Sequence, residues 1–146
     1  MKFLLDASAL LPLVTKSGKN LIVEVARAEL ITTDLAMYEA CNGLWKLATL
    51  LKTITLEDAA DIAVILQELT AKNLIQTISF TTMDLAHTLG IAQKAQITFY
   101  DASYIAVAQN IKAIMVTEDQ KLCKAASKSV KTISFLQLQN ELAKNP

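Results

Sequence analysis

Four acidic side chains carry the chemistry that this sequence could perform. Asp6 directly follows a short apolar run, and Asp119 follows another, at residues 113–116. Glu39 and Asp101 lie in stretches with helical periodicity. Each acid alone has a simple explanation, because acids often cap helices or lie on solvated helix faces. Two carboxylates about 4 Å apart repel by roughly 4 kcal/mol at an effective dielectric of 20, so a cluster of four predicts a bound cation.

The residue types favour a magnesium or manganese ion over zinc. Carboxylate oxygens suit these hard cations, whereas zinc prefers histidine and cysteine. His87 has no second His or Cys at ligand spacing, and Cys41 and Cys123 lack CxxC spacing. We therefore expect two buried thiols, with no disulfide and no zinc site.

Apolar runs alternate with longer helical stretches along the whole chain. Strands separated by helices require right-handed crossovers and a parallel sheet that is covered on both faces. The sequence predicts one domain over residues 1–146, a doubly wound α/β/α sandwich around a mainly parallel sheet of about five strands. The predicted strands are 2–5, 30–32, 74–79, 113–116 and 130–133, and the predicted helices are 17–28 (capped by Ser17), 33–51, 55–73, 82–94, 98–110, 119–127 and 135–143.

This topology would bring the acids together. Functional groups of an open parallel sheet gather at the carboxyl ends of its strands, where Asp6 and Asp119 are expected. Glu39 lies on a helix face that is polar or small where it should pack, and Asp101 begins an alanine-rich helix that must pack closely on the sheet. Glu118 precedes Asp119 directly, so either acid of this pair could face the site. We expect one cleft with four carboxylates.

The segments around the acids resemble the successive acidic motifs of PIN-domain ribonucleases, in order and with suitable spacing. The resemblance covers nearly the whole chain and implies a PIN-like fold. It also implies that Asp6, Glu39, Asp101 and Asp119 form the catalytic, metal-holding quartet. The matching segments are FLLDAS (3–8), YEACNGLW (38–45), FYDASYIA (99–106) and VTEDQKL (116–122).

The same resemblance implies four site-supporting residues. Ser8 and Thr117 match hydroxyl positions of the first and last motifs, and Asn42 matches a polar residue that commonly follows the second acid. Glu118 is the fourth. Asp119 is favoured over it as the metal ligand, because Asp119 occupies the usual third position of a Thr-x-Asp pattern.

The activity that the resemblance implies is endonucleolytic hydrolysis of RNA, which leaves a 5′-phosphate and a 3′-hydroxyl. Mg²⁺ would be the cofactor, with Mn²⁺ as a possible substitute. The family resemblance further suggests the toxin of a VapC-like toxin–antitoxin pair, with a small VapB-like antitoxin as partner.

Composition adds expectations about partners and location. Fourteen basic and fourteen acidic residues give no net charge, which argues against a general nucleic-acid coat. The hydrophobic fraction of 53% and mean hydropathy of +0.36 favour a homodimer or a complex. No apolar run approaches the roughly 18 residues of a membrane span, and no signal peptide is evident, so a cytoplasmic protein is expected.

Two other functions compete with the nuclease. Phospho-acceptor receivers and haloacid-dehalogenase-like phosphatases also place an Asp after a first parallel strand. However, Asp6-Ala7-Ser8 lacks the second acid of a DxD phosphatase, and no acid pair precedes Asp6 as in a receiver. The other alternative is a catalytically silent PIN-like module that only binds protein. The presence of all four acids counts against it and leaves it open.

Overall fold

The computed structural model describes residues 1–144 and has a central sheet of five parallel strands. Strand β1 lies in the middle, with Phe3 opposite Leu30 on one side and Ile114 on the other. The order β3-β2-β1-β4-β5 confirms the predicted doubly wound α/β sheet. The strands are β1 (Lys2–Leu5), β2 (Glu29–Thr33), β3 (Gln76–Ile78), β4 (Ile114–Val116) and β5 (Thr132–Ile133).

Helices connect the strands and cover the sheet. The helices are α1 (Ala7–Ser17), α2 (Leu21–Ala26), α3 (Asp34–Trp45), α4 (Leu56–Ala71), α5 (Leu85–Ala95), α6 (Phe99–Ile111), α7 (Gln120–Ala126) and α8 (Phe135–Ala143). Short 3₁₀ turns at Gly18–Asn20 and Phe80–Thr82 and a π-helical turn at Lys46–Leu50 complete the path. Hydroxyl caps at Thr33, Thr55 and Thr98 begin α3, α4 and α6, close to the predicted starts.

The predicted helix at 17–28 is present only in part, as a 3₁₀ turn and the short α2, and the predicted Ser17 cap was wrong. A helix already runs from Ala7 to Ser17, so Ser17 ends a helix instead of capping one, and its hydroxyl donates to Glu24. Pro12 lies inside α1, where a missing N–H normally breaks a helix. Burial of Leu10 and Leu13 on the sheet stabilises α1 despite this missing bond.

The core explains why α6 is so rich in alanine. Strand β1 is buried on both faces, as its continuous apolar run predicts for a covered parallel sheet. Every residue from 102 to 108 on α6 is buried as well, so this helix is enclosed all round. Small side chains let it approach the sheet closely, which holds Asp101 near the end of β4.

The expectation of two buried thiols was also wrong. Cys41 is exposed and Cys123 is partly buried. Cys41 lies on the side of α3 that faces α4, where the two helices leave an open groove. None of the helices in residues 1–144 is long and apolar enough to cross a membrane.

Candidate active site

The four acids line one cleft at the carboxyl end of the sheet. Asp6 follows β1 and Asp119 follows β4, the neighbouring strand, at the point where the strand order reverses. Glu39 enters from α3 and Asp101 from the first turn of α6. The cleft has a volume of about 530 Å³. Their metal-binding and catalytic roles remain predictions that this placement does not test.

Asp6 is the buried, fixed member of the group, with only 3% of its surface exposed. Its Oδ1 accepts hydrogen bonds from the Ser8 hydroxyl at 2.6 Å and from the Ala9 amide at 3.0 Å. Its Oδ2 accepts from the Thr117 hydroxyl at 2.5 Å. Burial raises the pKa of Asp6, these hydrogen bonds lower it in part, and the charge of Asp119 raises it.

The hydroxyls of Ser8 and Thr117 connect the loop after β4 to Asp6. Thr117 Oγ1 donates to Asp6 and accepts the Asp119 amide at 3.0 Å. Ser8 Oγ likewise donates to Asp6 and accepts the Glu118 amide at 2.8 Å. Each hydroxyl therefore donates a hydrogen bond to the carboxylate and accepts one from a backbone amide of the loop. These bonds fix the backbone that carries Asp119.

Asp119 caps a helix and also lines the cleft. Its Oδ1 accepts the Leu122 amide at 3.1 Å, which satisfies the amino end of α7. Asp119 therefore caps the helix that follows its strand, as acids after strands often do. Asp6 caps α1 in the same way. Capping does not exclude a role in the cleft, because the cap uses only one oxygen of each carboxylate.

Asp101 differs from a capping acid. The Thr98 hydroxyl accepts the Asp101 amide at 3.1 Å, but the Asp101 carboxylate does not return a bond to Thr98. The same Thr-x-x-Asp spacing at α4 forms a complete capping box, in which the Asp58 carboxylate accepts the Thr55 amide at 3.3 Å. Local sequence would allow the same box at α6, so the cleft position of Asp101 is not explained by capping.

The pKa of Asp101 shows that the carboxylates repel one another. Partial burial raises its pKa most, and the charges of Asp119 and Glu39 raise it further. Lys121 lowers it. No hydrogen-bond donor is among the groups that shift the pKa of Asp101. Its carboxylate is therefore stabilised less by neighbouring donors than that of Asp6, which accepts three hydrogen bonds.

Glu39 is held from the opposite wall of the cleft. The Tyr104 hydroxyl on α6 donates to Glu39 Oε1 at 2.6 Å, and Tyr104 is only 2% exposed. Burial and the neighbouring Glu39 raise the pKa of Tyr104 far above its usual range, so its hydroxyl stays neutral and keeps its proton. This bond joins α3 to α6 across the floor of the cleft.

Residues one turn after Glu39 shape the wall formed by α3. Asn42 and Gly43 line the cleft, as does the positively charged Lys46. A Cβ on Gly43 would lie 2.7 Å from Leu11 Cδ1, so the glycine lets α1 approach α3 closely. The sequence-predicted Asn42 is therefore at the cleft, although it is not among the groups that hold Asp6.

Glu118 points away from the other acids. Its Oε1 accepts the Phe135 amide at 2.5 Å, at the start of α8, and its side chain does not line the cleft. Only its amide, bound to Ser8, contacts the network around Asp6. Of the adjacent pair, Asp119 is thus the acid at the cleft.

The chemistry of this group fits a hard divalent cation, because all four side chains offer carboxylate oxygens and two have pKa values raised partly by neighbouring acids. As placed, however, no three His, Cys, Asp or Glu side chains of residues 1–144 form a ready-made metal site. Asp6 is fixed by three hydrogen bonds. Closure around a cation would therefore require movement of the more exposed carboxylates.

Comparison with known proteins identifies the family. The model of the PIN domain matches residues 3–128. The chain belongs to the PIN domain family. It is 34% identical to "Ribonuclease VapC3" of Pyrobaculum aerophilum over 127 residues, which is 85% of this chain and 94% of that protein. "Exonuclease VapC9" of the same organism is 31% identical over 125 residues, 84% of each chain.

A solved structure shows that the likeness extends to the whole fold. The crystal structure of a Pyrobaculum aerophilum protein superposes with a TM-score of 0.78 at 28% identity, covering 99% of this chain and 90% of that one. The VapC names confirm the resemblance to VapC-like PIN proteins that the four sequence motifs indicated.

Sequence reasoning about this PIN domain missed several of its cleft residues, among them three tyrosines. Tyr38, Tyr100 and Tyr104 all line the cleft, yet only the acids and small polar residues had been singled out. A signal for Tyr104 was present, because it lies three residues after Asp101 and thus on the same helix face. Nothing local could show that its hydroxyl reaches Glu39 from 65 positions away.

Proposed function

We propose that this PIN domain is a divalent-metal-dependent endoribonuclease, the toxin of a VapC-like toxin–antitoxin pair. The observation that carries the proposal is the set of four carboxylates around one cleft in a chain whose relatives are named as nucleases. Asp6, Glu39, Asp101 and Asp119 would hold the ion, Mg²⁺ with Mn²⁺ as a substitute. A protein of this kind acts on cellular RNA, so we also propose a cytoplasmic location.

The cleft residues would have different roles in phosphodiester hydrolysis. Asp6 gives a fixed reference position, and its hydroxyl partners Ser8 and Thr117 hold the loop that carries Asp119. When bound, the cation neutralises charge on the phosphate and acidifies water. One carboxylate accepts the proton of the attacking water, a new P–O bond forms, and the bond to the 3′-oxygen breaks. That oxygen leaves with a proton, which gives 5′-phosphate and 3′-hydroxyl ends.

We expect the purified protein to cleave RNA inside the chain when Mg²⁺ or Mn²⁺ is added and not in EDTA. The decisive substrate is a covalently closed circular RNA, because the two relatives are named differently, one a ribonuclease and the other an exonuclease. An endonuclease linearises the circle, whereas an exonuclease needs an end. Gel electrophoresis of circular and linear forms of one RNA, labelled internally, distinguishes them.

Three results of this assay would contradict parts of the proposal. Cleavage that persists in EDTA would exclude the metal-dependent mechanism. Degradation of the linear form alone would replace the endonuclease by an exonuclease. No cleavage of either form, with RNA from several sources, would favour the catalytically silent module.

We also propose that a small antitoxin binds the open groove between α3 and α4. Tyr38 lines both this α3–α4 groove and the acidic cleft, so an apolar helix or extended tail in the groove would obstruct the cleft. Leu51 and Leu56, on either side of the turn that leads into α4, are exposed as well, and this further apolar surface also supports homodimerisation. The α3–α4 groove has a volume of about 360 Å³ and is lined by Met37, Tyr38, Cys41, Ala63, Val64, Gln67 and Thr70.

A charge placed in the α3–α4 groove tests antitoxin binding there, and homodimerisation is tested separately. Val64→Glu is expected to weaken inhibition by the product of the neighbouring gene, because burial of an unpaired carboxylate is costly. Leu89→Glu, an equally exposed apolar position on α5 outside the groove, is the control. Sedimentation equilibrium of the wild type at micromolar concentration tests the dimer. A monomer, or equal inhibition of both variants, would refute the respective proposal.

A further inference from the structure

The rim of the acidic cleft carries two exposed aromatic rings that the hydrolytic mechanism does not use. Tyr38 is 79% exposed and Tyr100 is 59% exposed, and both line the cleft. The chain has only three tyrosines, and the third, Tyr104, is the buried donor to Glu39. Two exposed rings at the rim of one site offer apolar faces that a ligand in the cleft can contact.

The two rings lie on opposite walls. Tyr38 directly precedes Glu39 on α3, and Tyr100 directly precedes Asp101 on α6. Successive helical residues differ in direction by about 100°, so each acid can face the cleft while the ring before it stands at the rim. The hydrogen bond between Tyr104 and Glu39 joins these walls at the floor. A ligand that passes over the acids therefore has one ring on each side.

The charge of the cleft shows what kind of contact an RNA needs here. The side chains that line it include four carboxylates and the ammonium group of Lys46, and Lys121 is close enough to lower the pKa of Asp101, so negative charges outnumber positive ones here. The chain as a whole has no net charge. Attraction of phosphates by basic residues, the usual source of nucleic-acid affinity, is thus weak at this site. Stacking of bases on aromatic rings does not depend on positive charge.

We propose that Tyr38 and Tyr100 stack on unpaired bases on either side of the scissile phosphate and so select single-stranded RNA. The inference rests on the proposed nuclease function for the position of that phosphate. Bases inside a duplex are stacked on each other and cannot reach side-chain rings. The rings hold the two flanking nucleotides, and the phosphate between them lies over the four acids.

The test measures binding and cleavage separately. Binding is measured in an Asp101→Asn background with a fluorescein-labelled 12-nucleotide RNA, and with the same RNA carrying 2-aminopurine beside the cleavage site. Tyr38→Leu and Tyr100→Leu remove the ring and keep apolar bulk, whereas Tyr38→Phe and Tyr100→Phe keep the ring. Phe80→Leu is the control, since Phe80 is 53% exposed and lies outside the cleft.

Loss of one ring should raise Kd, and KM in the parent enzyme, by about 5- to 150-fold, the range for one stacked base. Tyr38→Phe, Tyr100→Phe and Phe80→Leu should leave Kd and KM close to the values of the protein into which each change is introduced. An abasic nucleotide at the stacking position should weaken binding by a similar factor in the parent and have almost no further effect in the matching Leu variant. A merely structural role of the tyrosines would not produce this coupling.

The outcomes distinguish the stacking inference from the nuclease proposal. Cleavage of RNA with unchanged KM in both Leu variants, or additive effects of ring and base removal, overturns stacking and leaves the nuclease intact. Binding that quenches 2-aminopurine without any cleavage by the parent supports stacking and refutes the nuclease. If Tyr38→Leu alters sedimentation and not RNA affinity, that ring belongs to a protein interface and the inference fails for it.

Discussion

Asp101→Asn is expected to lower the rate of RNA cleavage by about 100- to 1,000-fold, the range for loss of one preorganised electrostatic contact at a reacting centre. The substitution is nearly isosteric and removes only the anionic oxygen. The Asp101 amide keeps its hydrogen bond to the Thr98 hydroxyl, and no hydrogen-bond donor is among the groups that set the carboxylate's pKa. The fold should therefore survive, which circular dichroism can verify.

The matched control is Asp58→Asn. Asp58 stands in the same Thr-x-x-Asp position at the start of α4, but its carboxylate caps that helix and lies outside the cleft. Single-turnover cleavage of an end-labelled RNA at saturating Mg²⁺ compares the two variants with the wild type. Equal rates for Asp101→Asn and Asp58→Asn would remove Asp101 from the reaction.

Asp6→Asn should also lower the rate of cleavage strongly, but it is a less clean test. Both oxygens of Asp6 accept hydrogen bonds, two of them from the hydroxyls of Ser8 and Thr117. An asparagine would turn an NH₂ group toward one of these donors, which forces a hydroxyl to rotate or leaves a buried group unsatisfied. Loss of activity there would mix the lost charge with a disturbed loop around Asp119.

The fold could be predicted from the sequence wherever apolar period and caps agreed. Thr55 with Asp58 marked the start of α4 correctly, and the continuous apolar run of β1 indicated a strand buried on both faces. The failure at α1 has a physical cause. Pro12 argues locally against a helix, and the Asp6 cap together with packing of Leu10 and Leu13 on the finished sheet reverses that balance.

The candidate site could be predicted only as a set of positions. Strand ends and motif spacing placed the acids, because the carboxyl ends of parallel strands meet at one edge. The pattern at Thr98 and Asp101 was the same as at Thr55 and Asp58, and nothing local shows that one acid caps while the other lines a cleft. The direction of Glu118 depends on the amide of Phe135, 17 residues away. Contacts of this kind exist only once the chain has folded.

The stability of the protein should respond to metal in opposite ways in the wild type and in Asp101→Asn. Without metal, the charges of Asp119 and Glu39 act on Asp101 unrelieved. Removing the Asp101 charge should stabilise the metal-free protein by at most about 1 kcal/mol, because solvent still screens a carboxylate that is only partly buried. Metal at a hundred times its Kd should stabilise the wild type by about 2.7 kcal/mol, or about 5 to 10 °C in Tm.

Acid titration gives an independent check on the metal-free part of this prediction. The folded-state pKa of Asp101 lies above its ordinary value of 3.8, so the folded protein binds a proton before the unfolded chain does. The contribution of Asp101 to the free energy of unfolding is therefore lowest at neutral pH. It rises as the pH falls through the folded-state pKa and reaches its full value below 3.8. The stability difference between Asp101→Asn and the wild type should therefore shrink as the pH falls, because protonation of Asp101 relieves the same repulsion in the wild type.

Melting curves with and without Mg²⁺ or Mn²⁺ should consequently cross. Asp101→Asn is expected to melt above the wild type in EDTA and below it in saturating metal, because the variant relieves the repulsion but loses a ligand. Asp58→Asn should parallel the wild type in both conditions, since its carboxylate belongs to a cap. As placed, no three acids form a ready-made metal site in residues 1–144, so the gain also measures how far a cation draws the exposed carboxylates together. Parallel curves for Asp101→Asn and the wild type would mean that Asp101 holds no metal, and cleavage would then require another explanation.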